Sequence, residues 1–251
     1  MNNHKYYRLV EEASQDINHH PGLLEIQRIS RKSRKILDVG CGEGTKLNHL
    51  VGNKKIGFGI DINSFAITKA KKQYPKHSFR LSKGSDIPFS DENFDFVYST
   101  FVLEHTDQPE KFIAEMIRVT KTNGQIALLC PNYGSPNRRS PVSVERPAPK
   151  LLKGFLQDLF SIHPILKFTK VTPKKVFNHI DDDTTREPYL LNLYRFLKEN
   201  NNLQILEFSS LWEIDDNAKS FHQRIFKCLG QKDTFPFKFW GPQLFLIAKK
   251  I

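Results

Sequence analysis

The chain has 251 residues, 39% of them hydrophobic and 26% charged, which suits one large domain or one domain with a sizeable insertion and excludes a disordered chain. Cys41, Cys130 and Cys228 form no close-spaced pair, so neither a disulfide framework nor a zinc ribbon is indicated, and no apolar run approaches the roughly 18 residues of a membrane span. The net charge of +11 is blocked: residues 138–175 hold nine basic and two acidic side chains, whereas 181–216 hold three and nine. Solvated lysines account for such a block as readily as an anionic substrate, a lipid head group or nucleic acid does. The opening stretch MNNHKYYRLVEEASQD lacks the apolar core of a secretory signal, so a cytoplasmic location is expected.

Residues 1–30 are read as an N-terminal helical segment. Lys35–Val39 is a short buried strand by its Ile, Leu and Val content and the glycines that follow. Lys55–Asp61 is a second and Phe94–Thr100 another, with helical stretches at Asn63–Gln73 and Gln108–Thr120. Gln125–Cys130 follows Asn123-Gly124, a turn signal and a natural helix cap. This alternation predicts a mostly parallel sheet covered by helices on both sides. Five prolines then make 131–150 read as a loop. Leu151–Phe160 is strongly amphipathic, and a helix at Tyr189–Glu199, a strand at Leu203–Phe208 and a last strand at Gln243–Lys249 close the pattern. The stretch 133–187 is read as an inserted lid in a single α/β domain covering 1–251.

The informative segment is Asp38-Val39-Gly40-Cys41-Gly42-Glu43-Gly44, directly after a strand. Glycines there let the chain turn sharply and let a ligand approach main-chain N–H groups. The spacing is G-x-G-x-G, whereas the dinucleotide fingerprint is G-x-G-x-x-G. The next strand ends in Asp61, whose carboxylate could accept both hydroxyls of a ribose. Together these fit an adenosyl ligand without a pyrophosphate.

ILDVGCGEG, GIDIN, SDIPFSDENFDFVYSTFVLEH and FIAEMIRVTKTNGQIALLCPN resemble, in order, the motifs of class I S-adenosylmethionine-dependent methyltransferases, and are most similar to the type 11 small-molecule branch that includes ubiquinone- and biotin-pathway enzymes. The resemblance covers about residues 30–132 and returns in FWGPQLFLIAKK. It implies a Rossmann-like fold, a seven-stranded sheet with an antiparallel last strand, and S-adenosyl-L-methionine as cofactor with S-adenosyl-L-homocysteine as product. Carried over by position, Asp38 would sit near the amino-acid end of the cofactor, Gly40, Cys41, Gly42 and Gly44 would form the turn beneath it, and Asp61 would bind the ribose. Ile62 would pack on the adenine, Ser85 and Asp86 would read its edge, and Ser99 would lie beside the methyl group. The sequence departs from the family at Lys83, where many relatives carry an acid.

A sulfonium methyl is already activated, so alignment and exclusion of water matter most, and a hydroxyl acceptor also needs a base. His105 is the candidate; a histidine that holds the loop or caps the next helix is the alternative. Asn132, Tyr133, Arg138 and Arg139, with Arg146, could wall an anionic substrate, and Asp183 and Thr184 could stand at its mouth. The run Asp181-Asp182-Asp183 is read as a solvated loop, with no metal expected. His19-His20 are read as surface. The basic stretch 150–167 reads first as a lid over an apolar substrate and second as an interfacial helix at the inner face of a membrane. Methyl transfer to oxygen of a small-molecule, glycan or lipid-linked acceptor is the expected function. RNA or tRNA methylation, without an appended RNA-binding module to support it, and a degenerate partner protein are the alternatives.

Overall fold

The nearly continuous apolar runs of the first half become buried parallel strands, and the polar-faced segments between them become helices. The computed structural model describes residues 19–52, 55–160, 166, 168–175, 183–214 and 220–251. Most of the expected N-terminal segment and the acids Asp181 and Asp182 lie outside the described residues. The elements run α1 (Pro21–Lys32), β1 (Ile36–Val39), α2 (Thr45–Val51), β2 (Gly57–Asp61), α3 (Ser64–Gln73), β3 (Ser78–Leu81), β4 (Phe94–Thr100), α4 (Pro109–Val119) and β5 (Thr120–Pro131). They continue as α5 (Pro147–Phe160), β6 (Thr169–Lys170), β7 (Arg186–Glu187), α6 (Leu190–Lys198), β8 (Leu203–Ser209), α7 (Phe221–Gln231) and β9 (Gln243–Lys250).

Seven strands form one sheet in the order β3-β2-β1-β4-β5-β9-β8, mostly parallel with one antiparallel strand, and β6 pairs antiparallel with β7. The fold is thus the expected α/β, Rossmann-like one. The chain divides into two compact units, one of residues 1–102, 108–128 and 248–251, the other of 103–107 and 129–247.

In the first unit β1 is buried along its whole length and pairs parallel with β2 on one side and β4 on the other. The order therefore reverses at β1, and open α/β sheets bind ligands beyond the carboxyl ends of strands at such a point. Asn63 caps α3, its side chain accepting from the N–H groups of Phe65 and Ala66. His20, read as a surface residue, caps α1 by accepting from Leu23 N. Phe112, Ile113, Met116 and Val119 bury the periodic face of α4.

Two local expectations are corrected. Asn123-Gly124 does not end an element: Asn123 takes φ of 68° within β5, and the strand runs on through it from Thr120. Pro147 and Pro149 do not belong to a loop but open α5, whose first turn needs no internal N–H donors.

In the second unit α5 departs from the amphipathic expectation. Its one fully buried residue is Asp158, whereas Leu152, Leu156, Leu159 and Phe160 are exposed. Phe155 packs edge-on to Trp240, with ring centroids 6.1 Å apart, inside an aromatic cluster that also holds Phe226 and Phe237. No helix among the described residues is long and apolar enough to cross a membrane.

Candidate functional site

The turn after β1 is built by left-handed backbone that only glycine adopts easily, with φ of 87° at Gly40 and 53° at Gly42. The two glycines serve different ends. A Cβ on Gly40 would come within 2.2 Å of the Val102 side chain, so this residue is required by packing. A Cβ on Gly42 would meet nothing within 4 Å among the described residues, which leave the space above it open. Gly44, expected in the cradle, is closed off by Phe79, whose ring would lie 2.7 Å from an added Cβ.

The turn is tied to the end of β2. The Ile60 carbonyl accepts from Gly40 N at 2.8 Å and Cys41 N at 2.9 Å. Asp61 Oδ2 accepts from Gly42 N and Oδ1 from Asn63 N, each at 2.8 Å. A carboxylate offers about four acceptor sites, so Asp61 keeps acceptor capacity for a diol while it fixes the glycine turn. Ile62 beside it is 68% exposed, an apolar surface beyond the strand end.

Asp38 carries the electrostatics. It is buried in β1; Tyr98 Oη donates to its Oδ2 at 3.2 Å, and its Oδ1 has no hydrogen-bond partner among the described residues. Burial pushes its pKa up to about 7, opposed by the Lys46 ammonium and the Tyr98 bond and reinforced by Asp61 and Glu43. A buried carboxylate oxygen without a donor is costly, and an ammonium or sulfonium ligand would compensate it. The surrounding acids favour a cationic ligand and disfavour a pyrophosphate.

Sequence reasoning passed over two members of this region. Lys46 Nζ donates to the Thr100 carbonyl at 3.4 Å and lies 4.9 Å above the Phe101 ring. Phe101, directly after β4, has φ of 59°, a strained conformation of the kind that clusters at functional sites. Nothing in the sequence signals that strain; Lys46 had a signal in its place on the first turn after the glycines.

The remaining cofactor positions divide. Ser85 is half-buried and Asp86 exposed, in a turn closed by Asp86 N donating to the Lys83 carbonyl at 3.0 Å. Ser99 is buried and its hydroxyl donates to the Val39 carbonyl at 2.7 Å, tying β4 to β1. Burial pushes the Cys41 thiol up, which fits a small residue filling the turn.

In the second unit the chain brings together two residues 78 positions apart. His105 Nδ1 lies 3.3 Å from Asp183 Oδ1, and its Nε2 lies 3.8 Å from Glu104 Oε1. The pair is set by the segment through β7, where Thr185 N donates to the Glu104 carbonyl at 2.9 Å and Arg186 donates to that of Asp107. Thr184 between them is fully buried.

Asn132 is a correction. Expected on a substrate wall, it is enclosed; its amide donates to the Phe239 and Gly241 carbonyls and its Oδ1 accepts from Leu190 N. All three of those bonds hold the chain to itself. Tyr133 is half-buried, its carbonyl accepting from Lys150 Nζ at 2.8 Å. Lys150 also pairs with the buried Glu187 at 2.8 Å, which in turn accepts from Ser140 N and Oγ. Arg138 lies over the Trp212 ring, and Arg139 is exposed and donates to the Glu145 carbonyl.

Comparison with known proteins bears on the first unit most directly. Residues 37–128 match a family model described as a methyltransferase domain. The chain is 34% identical over 109 residues to norajmaline N-methyltransferase of Rauvolfia serpentina, covering 40% of this chain and 37% of that protein. It is 30% identical over 95 residues to demethylmenaquinone methyltransferase of Renibacterium salmoninarum, covering 38% and 40%. These matches thus span about two fifths of the relatives' length. A solved S-adenosylmethionine-dependent methyltransferase from Mesorhizobium loti superposes with a TM-score of 0.55 at 14% identity, over 93% of this chain and 100% of that one, and shows the shared fold.

Proposed function

Because residues 37–128 of this chain form a class I S-adenosylmethionine-dependent methyltransferase domain of the type 11 branch, we propose that the protein transfers the methyl group of S-adenosylmethionine to an oxygen of a small-molecule, glycan or lipid-linked acceptor. The observation that carries the reading is the buried Oδ1 of Asp38, which has no hydrogen-bond partner among the described residues, just before a glycine turn that they leave open at Gly42. When bound, the cofactor supplies a sulfonium methyl already activated for transfer.

This chain's residues then have distinct tasks. Asp38 meets the cationic amino-acid end, Asp61 accepts from the ribose hydroxyls while holding the turn, and Ile62 offers an apolar face to the base. Asn132 and Ser99 tie the chain to itself through backbone groups. Methylation of a hydroxyl forms the C–O bond, breaks the C–S bond and releases one proton from the acceptor. His105 receives that proton in this reading, with Asp183 orienting its ring and the neighbouring carboxylates stabilising the positive charge.

Calorimetric titration of the protein with S-adenosylhomocysteine, with NADH as control, tests the reading. Micromolar binding of the former alone is expected, followed by transfer of labelled methyl to oxygen acceptors and not to bulk tRNA. Binding of NADH, or of neither ligand, would sink it.

A further inference from the structure

In the second unit α5 is turned with its apolar stripe outward. Leu152, Leu156, Leu159 and Phe160 recur at the i, i+4, i+7, i+8 spacing of one helix face, and all four are exposed, Phe160 by 76%. The same helix points Asp158 and Phe155 inward, the carboxylate to Tyr189 and Trp240 and the ring to Trp240. A helix that serves only its own unit does the reverse and buries its apolar face. The arrangement recurs in α7, where Phe221 and Ile225 are exposed at i, i+4, Phe221 by 80%, whereas Phe226 packs against Trp240 with ring centroids 5.3 Å apart. Leu151 of α5 and Phe226 of α7 line one cavity. The two helices are therefore neighbours, with their inner sides on one aromatic cluster and their stripes turned away from it.

The exposed charge on these two helices has one sign. Their acidic and basic residues are Lys150, Lys153, Asp158, Arg224 and Lys227, and the one acid, Asp158, is buried. Lys150 is paired with Glu187, whereas Lys153 is exposed beside Leu152 at the edge of the stripe. The stretch 138–175 that contains α5 holds nine basic and two acidic residues. An isologous second copy would set these cations against their own kind, and a face meant for water needs no apolar stripe. Apolar stripes edged by a cation, with no exposed acid on either helix, fit a surface that is hydrocarbon beneath and anionic above.

We infer that α5 and α7 lie on an anionic lipid surface, with the exposed leucine, isoleucine and phenylalanine side chains entering the acyl boundary and Lys153 at the level of the phosphates. Lipid binding at this face does not rest on the methyl-transfer reading and assigns no acceptor.

Sedimentation of the whole chain with vesicles is the test, comparing pure phosphatidylcholine with phosphatidylcholine that contains roughly 30 mol% phosphatidylglycerol. Binding at least tenfold tighter to the anionic vesicles is expected, weakening as salt rises. Leu152→Gln combined with Phe221→Gln removes apolar surface from both stripes at exposed positions and should weaken binding at least tenfold. Lys153→Glu should weaken it at least threefold. Leu206→Gln, which alters an exposed leucine of β8, should change it less than twofold. All these variants should keep the urea midpoint and the S-adenosylhomocysteine affinity of the unaltered chain. No binding, equal binding to the neutral vesicles, full binding by the double variant, or an equal loss in Leu206→Gln would overturn the inference. A dimer in vesicle-free solution that the double variant dissociates would also overturn it and assign the stripes to a second copy. Absence of S-adenosylhomocysteine binding by the unaltered protein would defeat the methyl-transfer reading and leave the vesicle result standing.

Discussion

Asp38 and Tyr98 face each other as register partners on adjacent parallel strands, and the Tyr98 hydroxyl satisfies one carboxylate oxygen of Asp38 while the other stays buried without a donor among the described residues. The raised pKa of about 7 gives the sign of a pH effect. A cationic ligand selects the ionised carboxylate, so S-adenosylmethionine affinity should rise as pH increases through about 7 and fall by up to about tenfold per pH unit below it. In the unliganded chain the same shift means that Asp38's contribution to stability declines as pH rises from 3.8 toward 7. Asp38→Asn should flatten the binding profile between pH 5.5 and 8.5 and weaken binding at least tenfold at pH 8. A profile of unchanged slope in that variant would show that another group titrates.

Gly40 and Gly42 should separate packing from binding. Gly40→Ala meets both positive-φ strain and the Val102 side chain, and should cost more than about 2 kcal/mol of stability. Gly42→Ala meets strain alone, about 1 kcal/mol, yet its methyl enters the open space of the cradle. Chemical denaturation should therefore rank Gly40→Ala as the less stable, while calorimetry should show at least a tenfold loss of S-adenosylhomocysteine affinity in Gly42→Ala. A Gly42→Ala protein with full affinity would remove the cradle from that turn.

The base reading makes a kinetic prediction. His105→Gln should lower kcat with an oxygen acceptor by roughly 10²–10³ and leave S-adenosylhomocysteine affinity unchanged. Asp183→Asn should lower it less, since it keeps a side chain of the same shape beside the ring. Turnover within a factor of two of the unaltered enzyme in His105→Gln would remove His105 from the chemistry and return it to holding the chain.

What could be read ahead of the structure follows from the range of the interactions. Phe94–Thr100 is apolar, β-branched or aromatic along most of its length and preceded by the turn-forming run Ser90–Asn93, and the strand has those limits. Asp38, Gly40, Gly42 and Asp61 were legible because a glycine turn and an acid at the next strand end form a local pattern. Ser78–Leu81 was passed over because it is a four-residue edge strand that buries only Phe79. His105 and Asp183 were each marked, but their pairing arises from backbone bonds between distant segments. Asn132 was misjudged because an amide at a sheet edge looks the same in sequence whether it meets a ligand or three backbone groups. The burial of Asp158 on the polar side of an amphipathic pattern was likewise invisible, since its partners come from Tyr189 and Trp240.

That last residue gives the sharpest stability test. Asp158 Oδ2 accepts from Tyr189 Oη at 2.5 Å and Trp240 Nε1 at 2.8 Å, and burial pushes its pKa up to about 6 despite those bonds. A folded-state pKa above the unfolded value of 3.8 means the native protein binds the proton more tightly, so this group's contribution falls as pH rises between about 4 and 6 and remains a cost at neutral pH. Asp158→Asn keeps an oxygen acceptor and removes the charge, so it should stabilise the protein by about 1–3 kcal/mol at pH 7.5, with the gain vanishing near pH 4. Asp158→Ala leaves a buried indole N–H and a phenol without their acceptor; it should destabilise by about 1–3 kcal/mol near pH 4 and by less at pH 7.5, where the unaltered chain bears the cost of the buried carboxylate. Urea denaturation at the two pH values checks both signs, and an Asn variant less stable than the unaltered chain at pH 7.5 would show that the charged hydrogen bonds outweigh the cost of burying the carboxylate.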